Sequence, residues 1–210
     1  DSAKEEIVLD ENLVAEGKAF AHVGTYAVSP DHKLLAYTVD FTGYETYTVK
    51  IKDLSTGKEL SETIEECSGD IEWGADTSTL FYTLMDDEHR PNELRMRVFG
   101  GEDISILKED DALFWMGIFK TRSSRFLGCA LESKETSEVH MIDLKAVNGG
   151  DAHLKAAKGT KMMSPRKKFL RYDVDHHHTD FLIVTNKDGA KTNKLCSVAI
   201  DGGNWDSSHW

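Results

Sequence analysis

Acyl-transfer chemistry needs an exposed serine or cysteine beside a histidine that an acid orients. The sequence has all three residue types but lacks the Gly-x-Ser-x-Gly turn that would expose a nucleophile. Ser137, Ser164 and Ser197 fall in strand-like or loop segments. His176-His177-His178 has the composition of a metal site. Three adjacent residues on an extended segment point to alternate faces, so they cannot converge on one ion. His89, His140 and His153 stand alone, outside any ligand spacing. The carboxylate pairs Asp86-Asp87 and Asp110-Asp111 lie between strand-like runs, where acids are solvated. No phosphate-cradling glycine loop is present, and Gly100-Gly101, Gly149-Gly150 and Gly202-Gly203 are expected to serve turns. Cys67, Cys129 and Cys196 are odd in number and form no Cys-x-x-Cys pair, so they are expected to be reduced thiols acting as small hydrophobes. The expectation is a scaffold with no catalytic residue, no metal site and no cofactor. One segment differs: Asp110-Asp111-Ala112-Leu113-Phe114-Trp115-Met116 leads an acidic turn straight into an apolar strand.

The elements that would position these residues are strands. Lys33-Leu34-Leu35-Ala36-Tyr37-Thr38-Val39 is β-branched and aromatic, and Tyr47-Thr48-Val49-Lys50-Ile51-Lys52 alternates apolar and polar residues. A helical turn is expected within 12–20, and no long amphipathic helix. The strands recur in a fixed order, a turn followed by two strands, and Leu35, Leu80, Phe126 and Phe181 mark equivalent places in four units. The successive spacings of 45, 46 and 55 residues bracket the period of a four-stranded propeller blade. The longer last spacing is expected to be taken up by a blade-to-blade loop over 146–166, which holds Gly149-Gly150, Gly159 and Pro165. Inner strands are predicted over 25–28, 70–73, 114–119 and 170–175. The fold class expected is all-β, with blades of four antiparallel strands at 1–66, 67–110, 111–165 and 166–210. An open β-solenoid or two β-sandwiches would share much of this pattern.

The chain of 210 residues carries 25 basic and 37 acidic side chains, for a net charge of −12. Such a surface gains nothing from phosphate neutralisation, so nucleic acid is excluded as a favoured partner. No apolar run approaches the ~20 residues of a membrane-spanning helix. Reduced thiols and the lack of a signal-like N-terminus point to the cytoplasm.

The ordered motifs carry a family resemblance. Leu9-Asp10-Glu11-Asn12 with Ala15-Glu16-Gly17 comes first, then Val28-Ser29-Pro30-Asp31-His32-Lys33-Leu34-Leu35-Ala36-Tyr37 with Asp40, Gly43, Glu45 and Tyr47. Trp73, Asp76 and Leu80-Phe81-Tyr82-Thr83 lead to Asp87 and Arg90-Pro91. Ser133-Lys134-Glu135-Thr136-Ser137-Glu138-Val139 and Thr185-Asn186-Lys187-Asp188-Gly189-Ala190 follow. In this order the series resembles the prolyl oligopeptidase family of serine peptidases, of the oligopeptidase B type. The resemblance implies about four blades of a seven-bladed propeller, with the catalytic Ser, Asp and His in a separate α/β-hydrolase domain outside this chain. It implies that the propeller gates access of short peptides to that site, with cleavage after Arg or Lys and basic peptides as substrates. Trp115-Met116-Gly117 looks like a family segment whose Met faces the catalytic cavity, which makes Met116 the substrate-facing candidate. Ala19, ahead of Phe20, stands where relatives often carry an acid, so an interdomain salt bridge there would be missing. The rival expectations are a non-catalytic propeller scaffold or pseudoenzyme, and, less favoured, a propeller hydrolase with an axial metal.

Overall fold

Residues 34–37, 80–82 and 126–129 are apolar or small at consecutive positions, a pattern suited to strands covered on both faces. The computed structural model, which describes residues 5–101, 103–147 and 151–210, shows that cover. The pair Gly149-Gly150 and the side chain of His153 lie outside the described residues. Among the described residues fourteen strands form antiparallel sheets: β1 (His22–Val28), β2 (Leu34–Asp40), β3 (Tyr47–Asp53), β4 (Glu59–Trp73), β5 (Thr79–Met85), β6 (Pro91–Val98), β7 (Asp103–Lys108), β8 (Trp115–Lys120), β9 (Phe126–Glu132), β10 (Ser137–Asp143), β11 (Lys161–Met162), β12 (Tyr172–His177), β13 (Asp180–Thr185) and β14 (Lys194–Ala199). Sheet order follows chain order, with β1 to β7 in one continuous sheet, β8 to β11 in a second and β12 to β14 in a third. Among the described residues no helix is long and apolar enough to cross a membrane.

The long β4 joins two four-stranded units. Its first half pairs with β3 (Ile64 opposite Val49) and its second half with β5 (Trp73 opposite Leu80). Cys67 pairs with both Tyr47 and Leu84. The bend is made by Glu66 at φ 61° and Gly69 at φ 106°. At Gly69 only a residue without Cβ is unstrained, and a Cβ would also approach the Tyr47 ring to 3.2 Å.

Leu35, Leu80, Phe126 and Phe181 all lie on second strands and are buried. They pair with Lys52, Arg97, Asp143 and Val198 on the third strands, always at the same sequence offset. The four segments expected as inner strands contain no helix and fall on β1, the second half of β4, β8 and β12.

Neighbouring residues of one strand serve opposite seams. Leu80 and Tyr82 pack toward Ala36, Val49 and Ile51, whereas Phe81 between them packs with Leu94, Met96, Leu127 and Leu131. Phe126, Val139 and Met141 join Val174, Phe181 and Ile183 on the third seam. Each fully buried side chain of this size contributes about 1.5–3 kcal/mol. Inner-strand edges are tied across the seams by side chains. Trp73 Nε1 donates to the Ala27 carbonyl at 2.9 Å. The Ile118 N–H donates to Asp70, and the Arg122 N–H to Asp175 Oδ1 at 3.0 Å.

Two expectations need correction. Within 12–20 the helical turn is α1 (Glu11–Val14), started by Asp10, whose carboxylate accepts the Asn12 N–H at 2.9 Å. The segment 146–166 is not all loop: it holds α2 (Ala152–Gly159) and β11, the outer strand of the second sheet, which pairs with β10. Ala156 of α2 is buried against the second seam, and this tertiary contact supports a helix too short to be stable alone.

Candidate functional site

The acidic turn before β8 is held by two arginines. Arg90 is buried and pairs with Asp86, its Nε and Nη2 lying 2.9 Å and 2.8 Å from the same carboxylate oxygen, Oδ2. Its guanidinium also donates to the carbonyls of Asp111 (3.1 Å), Phe114 (2.8 Å) and Glu109 (3.2 Å). Buried carbonyls outside regular structure need such partners, and the planar fork of arginine can serve several at once. Arg90 and Pro91 were visible only as part of the family series, yet Arg90 is the donor around which the turn is built.

Arg166, between β11 and β12, reaches the same turn. It pairs with buried Glu109, lies 3.1 Å from Glu138 Oε2, and stacks over the Phe114 ring at 3.7 Å. His140 Nε2 lies 2.7 Å from Glu138 Oε1. Burial works against the Glu138 carboxylate, but the His140 hydrogen bond and the Arg166 charge hold it below the usual range. Burial likewise works against the Asp86 carboxylate, but the Arg90 N–H and charge hold it low. Arg166 was expected only as a loop end, because its partners are distant in sequence.

The clamp decides which side chains reach solvent. Asp111 makes a tight turn, its carbonyl accepting the Phe114 N–H at 3.0 Å and its carboxylate the Leu113 N–H at 3.0 Å. Leu113 and Trp115 are exposed, at 74% and 57%. Met116, the substrate-facing candidate, is 4% exposed and packs with Phe114, Leu127, Cys129 and Leu131 in the second seam. Adjacent strand residues face opposite ways, so the solvent-facing member of the segment is Trp115 and Met116 lies beneath it. Sequence alternation could not set this phase, because the seam that captures one face is a tertiary fact.

Among the described residues the other named groups do not come together as a nucleophilic site. His176 Nδ1 does meet Ser123 Oγ at 2.6 Å, but Nε2 meets the His178 carbonyl at 2.9 Å rather than a carboxylate. Burial lowers the His176 pKa. His177 and His178 meet edge to face, with ring centroids 4.1 Å apart. Ser164 Oγ donates to Asp206 at 3.0 Å, Ser197 lies on β14, and Ser137 opens β10. Asp87 and Asp110 are surface residues. The three cysteines are unpaired, and burial pushes the Cys67 thiol up to about 11. Phe20 is half-exposed and Ala19 is exposed. The arrangement at the turn is a rigid presenting surface with apolar tips on a polar base, suited to contact with a partner or ligand.

Comparison with known proteins fits this architecture. The family described as "Prolyl oligopeptidase, N-terminal beta-propeller domain" matches residues 1–210. "Dipeptidyl aminopeptidase BI" of Pseudoxanthomonas mexicana is 32% identical over 206 residues, 96% of this chain and 27% of that protein. "Protease 2" of Moraxella lacunata is 35% identical over 190 residues, 88% of this chain and 26% of that protein. Oligopeptidase B from Leishmania major superposes with a TM-score of 0.86 at 34% identity, covering 95% of this chain and 28% of its own. Oligopeptidase B from Trypanosoma brucei, with covalently bound antipain, gives 0.84 at 32% identity over 98% and 29% of the two chains. The chain therefore spans little more than a quarter of the length of these relatives.

Proposed function

The chain belongs to the prolyl oligopeptidase family through its N-terminal β-propeller domain, and on that basis we propose that it is the propeller portion of a serine oligopeptidase. Its four units, divided at 1–66, 67–110, 111–165 and 166–210, are part of a seven-bladed ring. The ring gates the access of short peptides to a Ser-His-Asp site in a separate α/β-hydrolase domain, with cleavage after Arg or Lys.

The observation that carries the reading is the clamped turn 109–116. Arg90 and Arg166 hold it rigidly enough to fix exposed Leu113 and Trp115 at the entry of an inner strand. Pre-ordered contacts of this kind cost little entropy on binding. The substrate-facing part of the segment is Trp115, with Met116 as its packed support. The net charge of −12 favours approach of basic peptides, an effect screened by salt. A cytoplasmic location is part of the proposal and is supported by three unpaired thiols.

The test is turnover by the polypeptide in which this propeller is joined to its hydrolase domain. Short Arg- or Lys-terminated reporters should be cut in a serine-inhibitor-sensitive reaction, and Trp115→Ala should change kcat/KM without lowering Tm. Unchanged kinetics for Trp115→Ala would remove the turn from the gating role. Absence of any serine-dependent turnover would leave the scaffold reading in its place.

A further inference from the structure

A pocket of about 290 Å³ opens between the hairpin of β9 and β10 and the entry to β12. Ser137, the first residue of β10, lines it, is 1% exposed, and has no hydrogen-bond partner for its Oγ. A buried hydroxyl left unpaired is unfavourable, and this one is a hydrogen-bonding group that the chain itself leaves unused. Ser137 is fixed in place: its N–H donates to the Leu170 carbonyl at 3.0 Å, and it pairs across the sheet with Glu132. The strand entry opposite is fixed by Asn186, which accepts the Arg171 N–H and donates to the Phe169 carbonyl, both at 2.9 Å.

Four charged side chains line the same pocket: Glu132, Arg171, Asp173 and Lys191. All four are exposed, and among the described residues none has an ion-pair or hydrogen-bond partner for its charged group. The nearby Lys194 and Asp188 pair at 2.8 Å instead. Two cations and two carboxylates therefore border one orphaned hydroxyl without neutralising one another. A simple anion would meet two carboxylates here, and a metal cation would meet Arg171 and Lys191. A ligand with both charges, separated by a polar linkage, matches the whole set.

We propose that this pocket binds a short free peptide of dipeptide size. Its carboxylate would lie at Arg171 and Lys191, its ammonium at Glu132 and Asp173, and its amide at Ser137 Oγ. The proposal concerns a binding site in this chain and does not depend on peptidase activity.

Calorimetric titration of the protein with L-alanyl-L-alanine tests it. Saturable binding is expected, with N-acetylation or C-amidation of the dipeptide each weakening it roughly tenfold or more, since a hydrogen bond to a charged group is worth about 1.5–3 kcal/mol. Arg171→Gln with Lys191→Gln should abolish the effect of C-amidation, with Tm unchanged because both side chains are exposed. Equal affinity for free and blocked dipeptides, displacement by inorganic phosphate alone, or no saturable binding would overturn the proposal. The blocked dipeptides decide the matter in the unmodified protein, whatever the variants do.

Discussion

At Met116 the burial sets a clear expectation. Met116→Ala should cost about 2–5 kcal/mol in denaturant unfolding, the usual range for a truncated core methionine, whereas Trp115→Ala next to it should change stability by less than about 0.5 kcal/mol. A reversed order would mean that the strand phase is wrong. Gly128 sits opposite Phe119, and a Cβ there would fall 2.2 Å from the ring. Gly128→Ala should therefore destabilise by about 1–3 kcal/mol through overpacking. Asp70 supplies a pH signature. Burial holds its carboxyl above the usual range, the Ile118 N–H opposes this, and the Glu72 charge adds to it. The folded state then binds the proton more tightly than the unfolded chain does. Stability at this residue is greatest below about pH 4, the unfolded value, and falls as pH rises through the raised folded pKa. Asp70→Asn keeps an acceptor for Ile118 and removes the charge. It should raise the unfolding midpoint at pH 7, with the gain fading toward pH 4.

The clamp on the turn belongs to the scale of elements, since it ties the loop before β8 to β10 and to the segment before β12. Arg166→Met would leave Glu109 and Glu138 buried without their cation, a change that costs about 3–5 kcal/mol. Adding Glu109→Gln should recover part of that loss, and a double-mutant cycle measures the coupling. Glu138 titrates in the sense opposite to Asp70. Its folded pKa is depressed, so its contribution is present above the unfolded value near pH 4.3 and is lost as pH falls. That acid-side loss should shrink in Arg166→Met. The strands and their repeat were legible because units packed on both faces require long apolar runs, and Leu35, Leu80, Phe126 and Phe181 stood at the right places within them. The helix α2 was hidden between glycines, and the buried contact of its Ala156 is tertiary. The arginine clamp was hidden for a related reason: Arg166 meets Glu109 across 57 positions of sequence, and no local pattern encodes that. The inward phase of Met116 depended on which seam captured it.

For the whole molecule, three apolar seams and their cross-strand ties make a rigid wall, and the net charge of −12 gives that wall a long-range preference for cations. The proposed gating would be a property of such a ring joined to a hydrolase domain, and it predicts a dependence on substrate size that a bare active site would not show. The most direct measurement compares kcat/KM for one Arg-containing cleavage sequence presented in a short peptide and in an unstructured polypeptide many times longer, using the polypeptide that carries both domains. The account predicts efficient, serine-inhibitor-sensitive cleavage of the short peptide and a steep loss for the long one. Equal kcat/KM for the two substrates would contradict it.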